Sequence, residues 1–223
     1  MRNLKWLAVA LSVCIMAVTF TGCFESFDAS KFVKGNIDSV YLGQFDKDFV
    51  KTIKESEAEI RQMYENGLET EADFFFLLFE IAEEYIDPAM KKEVIEMYRE
   101  IYKKAKYEVG ESTKSGTTYS VSVTVHPIDV MQRVLEKVEE DWVEDFFSRI
   151  ENDEFEEMST EEIETIWARG VIDIAKNEAK IIGYLEPQTI TIRVATTGSG
   201  NNKVQSINDS DFEKLDELII SYD

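Results

Sequence analysis

The sequence predicts an α+β protein, a curved antiparallel sheet of about four strands packed by several long helices. Three observations carry this. Over most of the chain, apolar residues recur at three- and four-residue spacing behind capping residues, as amphipathic helices require. Two short regions, around 119–125 and 189–194, switch to strict alternation beside turn clusters, as half-buried strands do. Helical and strand segments are grouped and do not alternate as βαβ units, which excludes a doubly wound parallel sheet.

The chain begins with Arg2 and Lys5, then an apolar run from Trp6 to Phe20. That length suits the h-region of a signal peptide and falls short of the ~20 residues a spanning helix needs. Thr21-Gly22-Cys23 follows, small residues ahead of a cysteine. The pattern resembles the lipobox of bacterial lipoproteins, with Phe20 where leucine is usual. It implies a signal peptide over 1–22, removal at Cys23, and acylation of that cysteine. Residues 23–27 are then the lipidated cysteine and a short spacer, and 28–223 a single elaborated α+β domain.

Within that domain Asp28 is placed to cap a helix with Val33, Ile37, Val40 and Tyr41 on one face, ended by Gly43. A second helical stretch starts near Asp46 and carries Phe49, Val50 and Ile53. Ser56 with Glu59 forms a capping-box pattern, opening a helix expected to reach about Ile86, with Gly67 as a bend. Its segment Phe74 to Phe79 is apolar all round, which predicts core. Asp87-Pro88 restarts a helix bearing Val94, Ile95, Tyr98, Ile101 and Tyr102.

The period then changes. Strands are expected near 106–112 and 118–126, joined at Lys114-Ser115-Gly116-Thr117 and stopped at His126-Pro127. Tyr119, Val121, Val123 and Val125 should face the helices, and Ser120, Ser122 and Thr124 the other side. Helical spacing resumes from Val130 to Phe146. After an acidic connection from Glu151 to Glu157, Ser159 and Glu162 open another helix, stopped by Gly183. A second hairpin is expected near 188–196 and 203–207, and Ser210 with Glu213 reads as the cap of a last helix.

Formal charge excludes other classes. The chain carries 45 acidic and 24 basic residues, a net of −21, and loss of Arg2 and Lys5 makes it −23. Nucleic acid demands the opposite sign, and anionic lipid repels such a domain. Cys14 leaves with the leader and Cys23 is the acylation site, so no thiol remains for a disulfide, a metal or a nucleophile.

Two features resemble a known family. Tyr41-Leu42-Gly43-Gln44-Phe45-Asp46 is similar to the break between the first helices of NTF2-like (cystatin-like) domains, and helices precede antiparallel hairpins in both. From Asp28 to Ile220 the layout resembles uncharacterised lipoproteins of Gram-positive bacteria with an NTF2-like domain of unknown function. The strands at Ala105–Gly110 and Glu186–Thr191 contribute to that likeness. The resemblance implies a cone formed by the sheet and its helices, and supplies no catalytic residues.

Candidate sites are few. His126 is the sole histidine, sits at a strand end, and lacks the spacing of a zinc motif. Glu151-Asn152-Asp153-Glu154 and Asn208-Asp209-Ser210-Asp211 lack the glycine and terminal glutamate of a calcium loop. Gly198 and Gly200 fit a hairpin loop. No catalytic residue, metal ligand or cofactor is assigned. The reading is a membrane-anchored extracytoplasmic lipoprotein that binds a small apolar ligand or an envelope protein. The alternative is an enzyme using buried carboxylates and tyrosines in the cone. A solute-binding protein ranks third.

Overall fold

The computed structural model describes residues 18–20, 27–53, 55–198 and 203–222. Residues 1–17 and 21–22 of the expected leader, and Cys23, the expected acylation site, lie outside them. The chain groups into two compact units, Met1–Gly67 with Tyr102–Pro127 and Glu186–Ile219, and Leu68–Ile101 with Ile128–Leu185 and Ile220–Asp223.

The first unit holds one antiparallel sheet, as the alternation predicted. Its strands are β1 (Val18–Phe20), β2 (Lys106–Ser115), β3 (Thr118–His126), β4 (Gln188–Thr197) and β5 (Lys203–Ile207), in the order β1-β5-β4-β3-β2. Four fall where expected. The fifth, β1, falls in the stretch expected to be the leader and pairs antiparallel with β5 in the register Val18 to Gln205 and Phe20 to Lys203.

Val121, Val123 and Val125 are fully buried while Ser122 is exposed, so the predicted faces hold, with Tyr119 half-buried. Register places Val121 opposite Ile192 and Val123 opposite Ile190. Gly116 takes φ +61° in the two-residue turn between β2 and β3, where the tight hairpin requires a positive φ. A bulge between Val109 and Ser112 breaks the simple alternation expected of β2, bringing Ser112 opposite Val121.

Two helices lie against this sheet, α1 (Ala29–Tyr41) on β2 and β3 and α8 (Asp209–Ile219) on β3 and β4. Buried Tyr41 stacks on Phe212 at 6.1 Å, and its hydroxyl donates to Asp216 at 2.9 Å, tying the two helices. Asp28 caps α1 through the Lys31 amide, and α2 (Lys47–Thr52) is capped by Asp46. Ser56 and Glu59 form the expected box before α3 (Glu57–Leu78), whose residues through Gly67 belong to this unit. The cap of α8 differs from expectation. Asn208 fills that position, accepting from the Asp211 amide, with Ser210 two residues too late and donating to Asn208.

The second unit is helical. Its part of α3 ends at Leu78, short of the expected Ile86. Glu80 adopts φ 57° and the Ile81 amide reaches back to the Phe76 carbonyl, closing a left-handed C-terminal motif. Phe75, Phe76 and Phe79 are core as predicted, but Leu77 is 55% exposed, so the run is not buried all round. Helix α4 (Pro88–Tyr102) starts at Asp87, which accepts from the Met90 amide. Next come α5 (Val130–Lys137), a π-helical turn over Val138–Trp142, α6 (Val143–Glu151) and α7 (Thr160–Glu178). Val134, Val138, Trp142 and Phe146 are spaced by fours, which in α-helical geometry drifts ~40° per step. The wider π turn takes up that drift and keeps the stripe inward. Ser159 and Glu162 make the predicted capping box for α7.

Candidate functional site

The catalytic alternative needs buried carboxylates and tyrosines. In the first unit the Tyr107 hydroxyl donates to Asp38, whose other oxygen accepts from Lys34 at 2.6 Å. Burial, then the Asp38 carboxylate, pushes the Tyr107 phenol well above its ordinary range, so the proton stays on oxygen. Both Asp38 oxygens are thus engaged, one joining α1 to β2 through Tyr107 and the other in a pair with Lys34 within α1. In the second unit, fully buried Tyr98 is raised by desolvation and by the charge of Glu71, and its hydroxyl shares a 3.1 Å bond with Tyr222. Neither phenol is poised to give up a proton near neutrality.

The ion-paired clusters serve helix ends. Glu178 accepts from Lys137 at 2.5 Å and Arg133 at 2.9 Å, and Arg133 also meets Asp129 and the Ile181 carbonyl at the end of α7. The Lys137 bond, partly opposed by burial and aided by Arg133, holds the Glu178 carboxyl below its usual value. Burial is the largest single influence on Asp211, yet the Arg193 bonds, at 2.7 Å from both Nε and Nη2, outweigh it and keep the group low.

His126 ends β3 opposite Lys106. The two acidic runs are caps, Asn208–Asp211 opening α8 and Glu151–Glu154 closing α6. At the latter, Asp153 takes φ 60° and Glu154 meets Arg149 at 3.0 Å. Gly198 takes φ +79° beyond β4, and Gly200 lies outside the described residues. Among the described residues no cluster of three metal-ligating side chains occurs, and no helix is long and apolar enough to cross a membrane.

What sequence reading missed lies in the second unit, from Val138 to Thr165. This stretch holds thirteen Asp and Glu against one Arg, a net of −12 out of −21. Of the thirteen, Glu154 binds Arg149 and Glu162 closes the capping box of α7; the rest, save half-buried Glu164, are exposed. Amid them stand Phe147 at 58%, Ile150 at 43% and Met158 at 41% exposure, half of the six large exposed hydrophobics among the described residues. Phe147 and Ile150, three apart, share the outward face of α6. Met158 begins an open depression of about 630 Å³ along the first turns of α7, also lined by Ser159, Glu161, Glu162, Thr165 and Ile166.

An aromatic platform supports this face. Trp142 stacks on Trp167 at 6.2 Å, and Phe146 meets Trp167 at 5.2 Å and Phe155 at 5.4 Å. Trp167 donates to the Phe79 carbonyl, whereas the buried Trp142 Nε1 has no acceptor among the described residues. Gly170 allows the packing, since a Cβ there would overlap the Trp142 ring. The one cation, Arg149, is consumed internally, over the Phe155 ring at 4.8 Å and paired with Glu154. The face therefore offers apolar contact inside a negative field. The available signal was the acid count of 138–165 set against outward-phased Phe147 and Ile150.

No family model matches the sequence, and no curated protein sequence matches it. Among solved structures, YcdA of Bacillus subtilis subsp. subtilis strain 168, described as a candidate lipoprotein, is similar with a TM-score of 0.56 at 17% identity. The likeness covers 87% of this chain and 56% of the YcdA chain, so this chain spans little more than half that chain's length, and it is a likeness of fold.

Proposed function

We propose that the chain is a lipoprotein, held by Cys23 on the extracytoplasmic face of a cell membrane, that works by binding. The observation that carries the binding reading is the group of exposed apolar side chains within the acidic stretch of 138–165. Isolated exposed hydrophobics are ordinary, but several gathered on one element mark interaction sites. The anchor reading rests on the leader pattern, and the fold likeness to a candidate lipoprotein supports it. The break of α1 at Leu42-Gly43 and its packing on an antiparallel sheet favour the NTF2-like kinship within the same reading.

Two acyl chains on Cys23 give durable attachment, at ~0.8 kcal/mol per buried methylene, and overcome the repulsion of an acidic domain by anionic lipid. Removal of residues 1–22 takes β1 with it and makes β5 a sheet edge, where the charge of Lys203 discourages strand addition. The test is Cys23→Ala, followed by membrane fractionation and metabolic labelling with an alkyne fatty acid. The expected outcome is loss of label together with release or a block in processing. Unchanged size, label and fractionation would refute the anchor.

A further inference from the structure

We propose that the acid-rimmed face of α6 and α7 docks a cationic amphipathic polypeptide segment, with apolar anchors on one side and Lys or Arg on the other. The inference rests on the binding reading above and names the chemistry of its occupant. Phe147 and Ile150 supply an apolar ridge, and the depression beside Met158 and Ile166 a recess for an inserted side chain. In the same stretch Glu144, Asp145, Glu151, Glu156, Glu157 and Glu161 are exposed, and Arg149 is already paired. An apolar surface in such a ring is wet until a partner arrives that both covers it and neutralises the rim. An amphipathic helix laid on apolar anchors does the first, and its basic side the second. Complementary charge also speeds encounter and rejects acidic partners. A membrane is the weaker occupant, because the rim repels anionic headgroups and zwitterionic ones leave it unneutralised.

The protein carries its own reporter. Three tryptophans are present, and once Trp6 is changed only Trp142 and Trp167 remain, both beneath the proposed face. The full chain carrying Trp6→Phe is reconstituted in phosphatidylcholine vesicles. It is titrated with a synthetic helical peptide of Leu and Lys, and with the same peptide bearing Glu for each Lys. The Lys peptide should change indole emission saturably, and the Glu peptide should not. Raising salt from about 0.05 to 0.5 M shrinks the screening length several-fold and should weaken binding by about tenfold or more. Phe147→Ser with Ile150→Ser leaves the charge untouched and should cost at least about tenfold, the scale of a central anchor. Glu156→Lys with Glu157→Lys should weaken binding, while Glu108→Lys with Glu111→Lys, the same charge change on β2, should do so less than about threefold.

Equal binding by the serine variant, or an equal effect of the β2 control, means charge condensation alone and overturns the proposal. So does an indole response to phosphatidylcholine-phosphatidylglycerol vesicles in place of the peptide. A photo-crosslinker introduced in cells as Phe147→p-benzoylphenylalanine separates the two levels. A crosslinked partner with a basic amphipathic segment at the adduct supports the proposal. A partner without one overturns it and leaves the binding reading standing, whereas no adduct at position 147 removes both.

Discussion

Gly170→Ala sets two measurable effects against each other. Gly170 lies inside α7, where alanine favours the helix by about 1 kcal/mol. Its Cβ, however, would meet Cζ2, Cε2 and Cη2 of Trp142. The ring cannot give way without loss, because it is held by Trp167 at 6.2 Å and Phe146 at 5.8 Å. Overpacking costs about 1–3 kcal/mol, and each aromatic contact forfeited adds about 0.5–1.5 kcal/mol. The costs win, and the expected net loss is about 1–3 kcal/mol. Urea denaturation followed by tryptophan emission measures it, with a red shift as Trp142 leaves the cluster. Pairing the change with Trp142→Ala should abolish most of the penalty, since nothing is then left to strike. A gain of about 1 kcal/mol with unchanged emission would refute the packing and return Gly170 to an ordinary helix position.

Two further outcomes follow from the backbone and the ion pairs. Glu80→Gly should raise stability by several tenths to about 1 kcal/mol, because the left-handed conformation costs a non-glycine residue about 1–2 kcal/mol and glycine loses part of that gain in chain entropy; thermal melting checks it, and a lower Tm would contradict the C-terminal motif. Asp211→Asn should cost about 1.5–3 kcal/mol at neutral pH, the range for hydrogen bonds to charged groups. Because the folded Asp211 pKa is depressed, its contribution is complete above the unfolded value of 3.8 and is lost as pH falls through the folded one. The difference between wild type and variant should therefore shrink on acidification, and a gap that widens below pH 4 would reverse the assigned sign.

Legibility in the sequence followed the range of the interactions. The valines of β3 announce their face because strand periodicity is local and only one side is buried. Ser159 and Glu162 announce the start of α7 because both bonds of the box close within three residues. The end of α3 was hidden, since apolar Phe79 and Ile81 continue the helical look while Glu80 turns left-handed to bury both. Ser210 misled for a similar reason, with Asn208 two residues earlier able to take the Asp211 amide. The π turn leaves only a faint trace, a spacing of fours that also fits an ordinary helix.

The acidic character itself changes meaning once it is placed. Read as composition, −21 is a property of the whole surface and suggests solubility in an exposed compartment. Placed in the fold, −12 of it falls within the 28 residues from Val138 to Thr165, leaving −9 for all the rest. Crowding that many carboxylates costs self-repulsion, and the local fold uses few of them, Glu154 on Arg149 and Glu162 on Ser159 among them. Solubility alone would be served as well by spreading the charge. Keeping Phe147 and Ile150 exposed inside the same stretch adds a second cost, apolar surface left in water. A partner that is basic and apolar relieves both costs at once, and the free chain gains a surface that repels acidic neighbours and copies of itself. That coincidence of two unfavourable features on one pair of helices ties the docking reading to the energetics of the fold.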